Sequence, residues 1–194
     1  MTLRSLALLA TLGLAACSSA PTHYYTLMAT APAHPAAVAA PAFQFQLLGV
    51  QMPVQVDQPQ IVVRQSTGSL AILETERWGG PLADEFHDAL STELESKLGT
   101  RNLAGLPKDA DKPVISLQVD VRRFDSLPGQ YALIDVVWSL SQRSDGQKRN
   151  SLTCGSVIRE PAGVAIDDLV LAHQKAIGVL AGQIAHTANT WVCP

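Results

Sequence analysis

The run Pro113-Val114-Ile115-Ser116-Leu117-Gln118-Val119-Asp120-Val121-Arg122 decides the fold. Ile115, Leu117, Val119 and Val121 alternate with Ser116, Gln118, Asp120 and Arg122, the two-residue period of a strand with one buried face. Pro128-Gly129 marks a connection. Ala132, Ile134, Val136, Trp138 and Leu140 then take up the same period, with Ser144-Asp145-Gly146 as a hairpin turn behind them. Leu152, Cys154 and Ile158 continue as a third strand, so three strands on short links predict an antiparallel meander.

Working outward, Gly79-Gly80-Pro81 punctuates the chain, and Pro81 suits the first turn of a helix, where its missing N–H costs nothing. Leu82, Phe86, Leu90, Leu94 and Leu98 recur every four residues, with Asp84, Glu85, Asp88, Glu93 and Glu95 outside, and Gly99 closes the helix. A last helix is predicted over about Val164 to Ala188, where Ile166, Leu169, Val170, His173, Ile177, Leu180, Ala181 and Ile184 share a face. Upstream, Tyr24-Tyr25-Thr26-Leu27, Phe43 to Val54, Gln60 to Gln65 and Leu70 to Thr75 read as strands. The predicted order is four strands, a helix, three strands and a helix. This is a single α/β domain: a mixed β-sheet with an antiparallel C-terminal meander, covered by two amphipathic helices.

The 194 residues are enough for one ordinary domain, and 47% hydrophobic against 16% charged residues is the balance of a chain that folds. Lys and Arg number 14 against 17 Asp and Glu, a net charge of -3, with the positives scattered apart from Arg122-Arg123. Nucleic acid is excluded as a partner on that footing.

Arg4 followed by the apolar run Leu6 to Leu14 reads as a leader over residues 1–16, too short to span a bilayer. It ends in Leu14-Ala15-Ala16-Cys17, which resembles the bacterial lipoprotein signal. That resemblance implies a diacylglycerol on the Cys17 thiol and an N-acyl chain on its freed amine, which together hold a protein stably at a membrane. Ser18 follows, and by the Gram-negative sorting rule a residue other than Asp there implies passage to the outer membrane. Residues 17–22 form the lipidated tether and 23–194 the domain, within which 29–42, with eight Ala and three Pro, read as a flexible loop.

Chemistry-bearing candidates are few. Cys154 and Cys193 are the pair left besides the anchor, and in an oxidising compartment they predict a disulfide that staples the C-terminal tail to the body. Two separated Cys without paired His are too few ligands for zinc, so no metal is expected. His87 and His173 read as core or boundary histidines, and Asp84-Glu85 as first-turn helix charges. Asp135 interrupts Ile134 and Val136, on the face opposite Trp138, where it is either solvated or paired with a cation such as Arg122 or Arg123. Arg77-Trp78 before the helix reads either as a packing anchor with cation–π contact or as an exposed recognition element. There is no Gly-rich phosphate loop, HExxH, GxSxG or Cys-x-x-Cys, so no catalytic residue is assigned.

Taken together, the signal at Cys17, Tyr24-Tyr25-Thr26-Leu27, Asp57-Gln58-Pro59-Gln60-Ile61-Val62-Val63-Arg64, Arg77-Trp78-Gly79-Gly80-Pro81-Leu82-Ala83-Asp84-Glu85-Phe86 and Val119-Asp120-Val121-Arg122-Arg123-Phe124-Asp125 resemble the ABC-type transport auxiliary lipoprotein family. That family includes the lipoprotein of the paraquat-inducible intermembrane-transport operon. The resemblance implies a non-catalytic docking component on the periplasmic face of the outer membrane. Its partner would be a mammalian-cell-entry (MCE) domain transport protein, and its role the support of the envelope lipid barrier. No cofactor is implied beyond the acyl groups on Cys17. Arg64, Arg77 and Trp78 are the candidate partner contacts, and self-association into a homo-oligomer would match a symmetric partner. The rival readings are a periplasmic lipid-binding module and an envelope-modifying hydrolase. The 29–42 insert and Cys193 do not map onto the family pattern.

Overall fold

The computed structural model describes residues 20–30, 41–143 and 149–194. The leader 1–16, Cys17, Ser18 and the start of the tether, the interior of the 29–42 loop and the Ser144-Asp145-Gly146 turn lie outside the described residues. The elements are β1 His23–Tyr25, β2 Gln44–Gln51, β3 Gln60–Arg64, β4 Leu70–Trp78, α1 Leu82–Leu98, β5 Val114–Leu127, β6 Tyr131–Arg143, β7 Asn150–Pro161 and α2 Ile166–Thr190. The order is the one the sequence predicts, and the strands are shared between two mixed sheets.

One sheet runs β1-β4-β3 and the other β2-β5-β6-β7. Each holds one parallel pair, β1 on β4 and β2 on β5, formed by segments far apart in the chain. β5, β6 and β7 form the antiparallel meander. Along β5 the alternation is kept: Ile115, Leu117, Val119 and Val121 are buried while Gln118 and Arg122 are exposed. Ile134, Val136, Trp138 and Leu140 do the same on β6, and the Trp138 indole donates to Ser156 Oγ at 3.0 Å, which satisfies its one polar atom in the core.

α1 buries Leu82, Phe86, Leu90, Leu94 and Leu98, its every-fourth-residue stripe, and ends on Gly99 in the left-handed region (φ 66°). α2 packs against α1 and against β6 and β7, so both helices lie over the meander sheet. Each fully buried large aliphatic side chain in this layer contributes about 1.5–3 kcal/mol. β4 runs three residues further than the sequence predicts because Tyr24 and Tyr25 pair with Arg77 and Trp78, and the Trp78 N–H donates to Pro59 O at 2.8 Å. β2 stops at Gln51, short of Pro53, whose carbonyl instead accepts turn bonds from Val56 and Asp57.

Cys154 on β7 is bonded to Cys193 beyond α2, with Cα atoms 5.6 Å apart. The tail turns at Trp191, which is left-handed (φ 56°) and donates its N–H to Thr187 O at 2.7 Å. Thr187 Oγ1 donates in turn to Val192 O at 2.8 Å.

Candidate functional site

A bulge in β5 creates the site. Val121 pairs with Val136 and Arg123 with Asp135, which leaves Arg122 as an extra residue. The insertion reverses the phase of the strand, so Phe124 and Ser126 follow Val121 into the interior and two arginines emerge side by side. Asp125 then sits between sheets, buried, and accepts from Arg64 Nη2 at the end of β3 (2.8 Å) and from Arg123 Nη2. Burial alone would raise the Asp125 carboxyl, but hydrogen bonds from the two guanidiniums hold it below the usual range. The bond to Asp125 raises Arg64 in return, against the cost of its own burial.

Arg64 also donates through Nη1 to Thr67 O at 3.2 Å, while its Nε is buried without a partner. Two clefts flank this triad. The first, about 260 Å³, has apolar walls from Val56, Val62 and Leu70 and a cationic rim from Arg64, Arg122 and Arg123. The second, about 570 Å³, is polar, with Ser66, Thr67, Gln130 and Tyr131. Neither arginine offered as a partner for Asp135 takes that place: Arg123 lies opposite Asp135 in the ladder but donates to Asp125, and Arg122 pairs with Asp120 at 3.2 Å.

Of the three residues singled out as partner contacts, only Arg64 belongs to this cluster. Trp78 is 4% exposed and meets Phe124 edge to face at 6.1 Å, so it is a packing residue and offers no recognition surface. Arg77 sits on the same strand with its Nε 3.4 Å from Glu74 O; among the described residues the cation–π contact is Arg159 over Tyr131, at 3.9 Å.

Ser126 Oγ and His173 Nε2 stand 2.8 Å apart, the spacing of a nucleophile and its base. The surroundings argue for a core pair. His173 is 1% exposed, burial pushes its pKa down to about 3, and Nδ1 meets no acid that could orient the ring. Asp125, the nearby carboxylate, is committed to the arginines. Among the described residues no group of three His, Cys, Asp or Glu is placed to hold a metal ion.

Glu85, read from the sequence as a helix-end charge, has a second task. Its Oε2 accepts from Thr26 Oγ1 (2.7 Å) and from the Leu27 N–H (2.9 Å), clipping the segment after β1 onto α1. Gly79 makes room for this: a Cβ there would lie 3.2 Å from Glu85 Oε1 and 3.4 Å from Tyr25 O. The clip was not visible in the sequence, whereas consecutive Arg122-Arg123 within an alternating strand was a legible sign of the bulge.

The model of the ABC-type transport auxiliary lipoprotein component family matches residues 25–185, and the chain belongs to that family. The family description implies a non-catalytic, auxiliary role in ABC-type transport. No curated protein matches the sequence. Among solved structures the fold is similar to that of an uncharacterized protein, with a TM-score of 0.62 at 16% identity over 87% of this chain and 99% of that one. It is also similar to protein XCC0632 from Xanthomonas campestris, with a TM-score of 0.57 at 19% identity over 88% and 100%. Among the described residues no helix is long and apolar enough to cross a membrane.

Proposed function

We propose that the protein is held by acyl groups on Cys17 at the periplasmic face of the outer membrane. There it serves as the docking component of an MCE-type intermembrane lipid transport system that maintains the envelope lipid barrier. The family match across residues 25–185 carries this reading. The buried state of the Ser126–His173 pair supports a binding role over a hydrolytic one.

Two experiments test it. Crosslinking in intact membranes, followed by mass spectrometry, should recover an MCE-domain protein; replicate captures that yield none overturn the reading. Cys17→Ala should move the protein from the outer-membrane to the soluble fraction, and a variant that still sediments with outer membrane refutes lipid anchoring.

A further inference from the structure

The β1-β4-β3 sheet turns one face to the core. Tyr25, Ala71 and Leu73 pack there, and Trp78, opposite Tyr25, is buried. Side chains alternate along a strand, so Tyr24, Leu70 and Ile72 point the other way, and they are 68%, 43% and 50% exposed. Val54, in the loop whose Pro53 and Gln55 line a cleft with Leu70, is exposed as well. Neighbouring exposed apolar side chains of this kind mark a surface that something covers.

Charge does little to select the cover. Glu74 takes Gln60 Nε2, Glu76 is paired with His23, and Arg64, opposite Leu70, is turned to Asp125. Arg77 stands opposite Tyr24 in the ladder and donates through Nε to the Glu74 carbonyl. Aliphatic side chains bordered by a tyrosine and an arginine are the composition that settles where lipid headgroups meet acyl chains.

The tether brings a bilayer to this face. β1 and β4 run in the same direction, so the chain arrives at His23 from the end of the sheet at which Leu70 begins β4. His23 is opposite Glu76, and Cys17 stands as far before His23 in sequence as Leu70 stands before Glu76. Beyond Ala20, residues 17–19 can span about 10 Å at full extension. A bilayer that holds acyl groups on Cys17 is therefore never farther than that from Ala20, and a folded domain seated on the same face would have to fit into the gap.

The geometry points to the outer face of the β1-β4-β3 sheet as a membrane-contact surface, which rests Tyr24, Leu70 and Ile72 at the headgroup boundary of a phospholipid bilayer. The inference rests on the acylation of Cys17 proposed above and gives the anchored domain one orientation.

The probe is the acylated protein in vesicles of phosphatidylethanolamine and phosphatidylglycerol, with and without bromine on the acyl chains. Bromine quenches a nearby indole, and the unaltered protein sets the baseline for its own tryptophans. Tyr24→Trp and Ile72→Trp change exposed strand positions, which accept an aromatic side chain. Val192→Trp is the control, because Val192 lies past the end of α2, about 24 Å of helix beyond Gln174, whose Nε2 donates to Thr26 O. Brominated lipid should dim the introduced fluorescence roughly twofold at positions 24 and 72 and leave it unchanged at 192. Equal quenching at all three positions, or none at 24 and 72, overturns the proposal; a second copy or a partner protein covering the face gives the latter result. If the acylated protein sediments with the vesicles while positions 24 and 72 stay bright, this surface is refuted and lipid anchoring stands. If mass spectrometry finds no acyl groups on Cys17, anchoring falls and the surface falls with it.

Discussion

The imidazole of His173 lies flat on the ring of Phe124, 3.9 Å between centroids and 7° between planes. Burial holds this ring neutral to about pH 3, with Asp125 pulling weakly the other way, whereas an unfolded chain protonates it near 6.5. Between those values the unfolded state binds the extra proton, so stability falls as pH falls, by about 1.4 kcal/mol per unit. Denaturant midpoints should therefore drop steadily from pH 6.5 to 4. The slope should flatten in His173→Gln, and an undiminished slope in that variant would exclude His173 as its source.

Glu85→Ala should free the segment after β1 without unfolding the domain. It removes two hydrogen bonds to a carboxylate, a local loss of about 1.5–3 kcal/mol. Amide exchange at Leu27 should accelerate by at least tenfold while amides in β5 and β6 keep their protection. Unchanged exchange at Leu27 would mean that burial of its side chain, not the clip, holds the segment.

The Cys154–Cys193 bond closes a stretch with a sequence separation of 39, and loss of a loop of that length from the unfolded state costs about 2–4 kcal/mol on reduction. Urea melts with and without reductant should differ by that amount, and Cys193→Ser should match the reduced protein. Coincident melts would show that the bond adds nothing to stability.

Asp125→Asn should destabilise by about 3 kcal/mol, because it leaves the buried part of Arg64 facing a neutral amide. Combining it with Arg64→Met should recover much of that loss. A double variant as weak as the sum of the two singles would argue against an energetic link between the sheets through this pair.

Local periodicity carried most of the fold: the β5 and β6 alternation and the four-residue leucine stripe of α1 appear where the residues predict. The division into two sheets was not legible, because it depends on the parallel pairings of His23–Tyr25 with Glu76–Trp78 and of Gln44–Gln51 with Val114–Asp120, which leave no local pattern. For Trp78 the packing reading holds and the partner-contact reading does not. What it packs against was not legible, because β4 extends through it and Phe124 arrives from a distant strand. Arg64 was singled out without Asp125, since the phase change that buries Asp125 follows from the bulge at Arg122.

The parallel seating of β1 beside β4 also has a mechanical meaning. A pull directed along the axis of β1 would load the His23–Glu76, Tyr24–Arg77 and Tyr25–Trp78 pairings together in shear instead of peeling them one by one. Against a pull in that direction the domain would hold better than three residue pairs that unzip in turn.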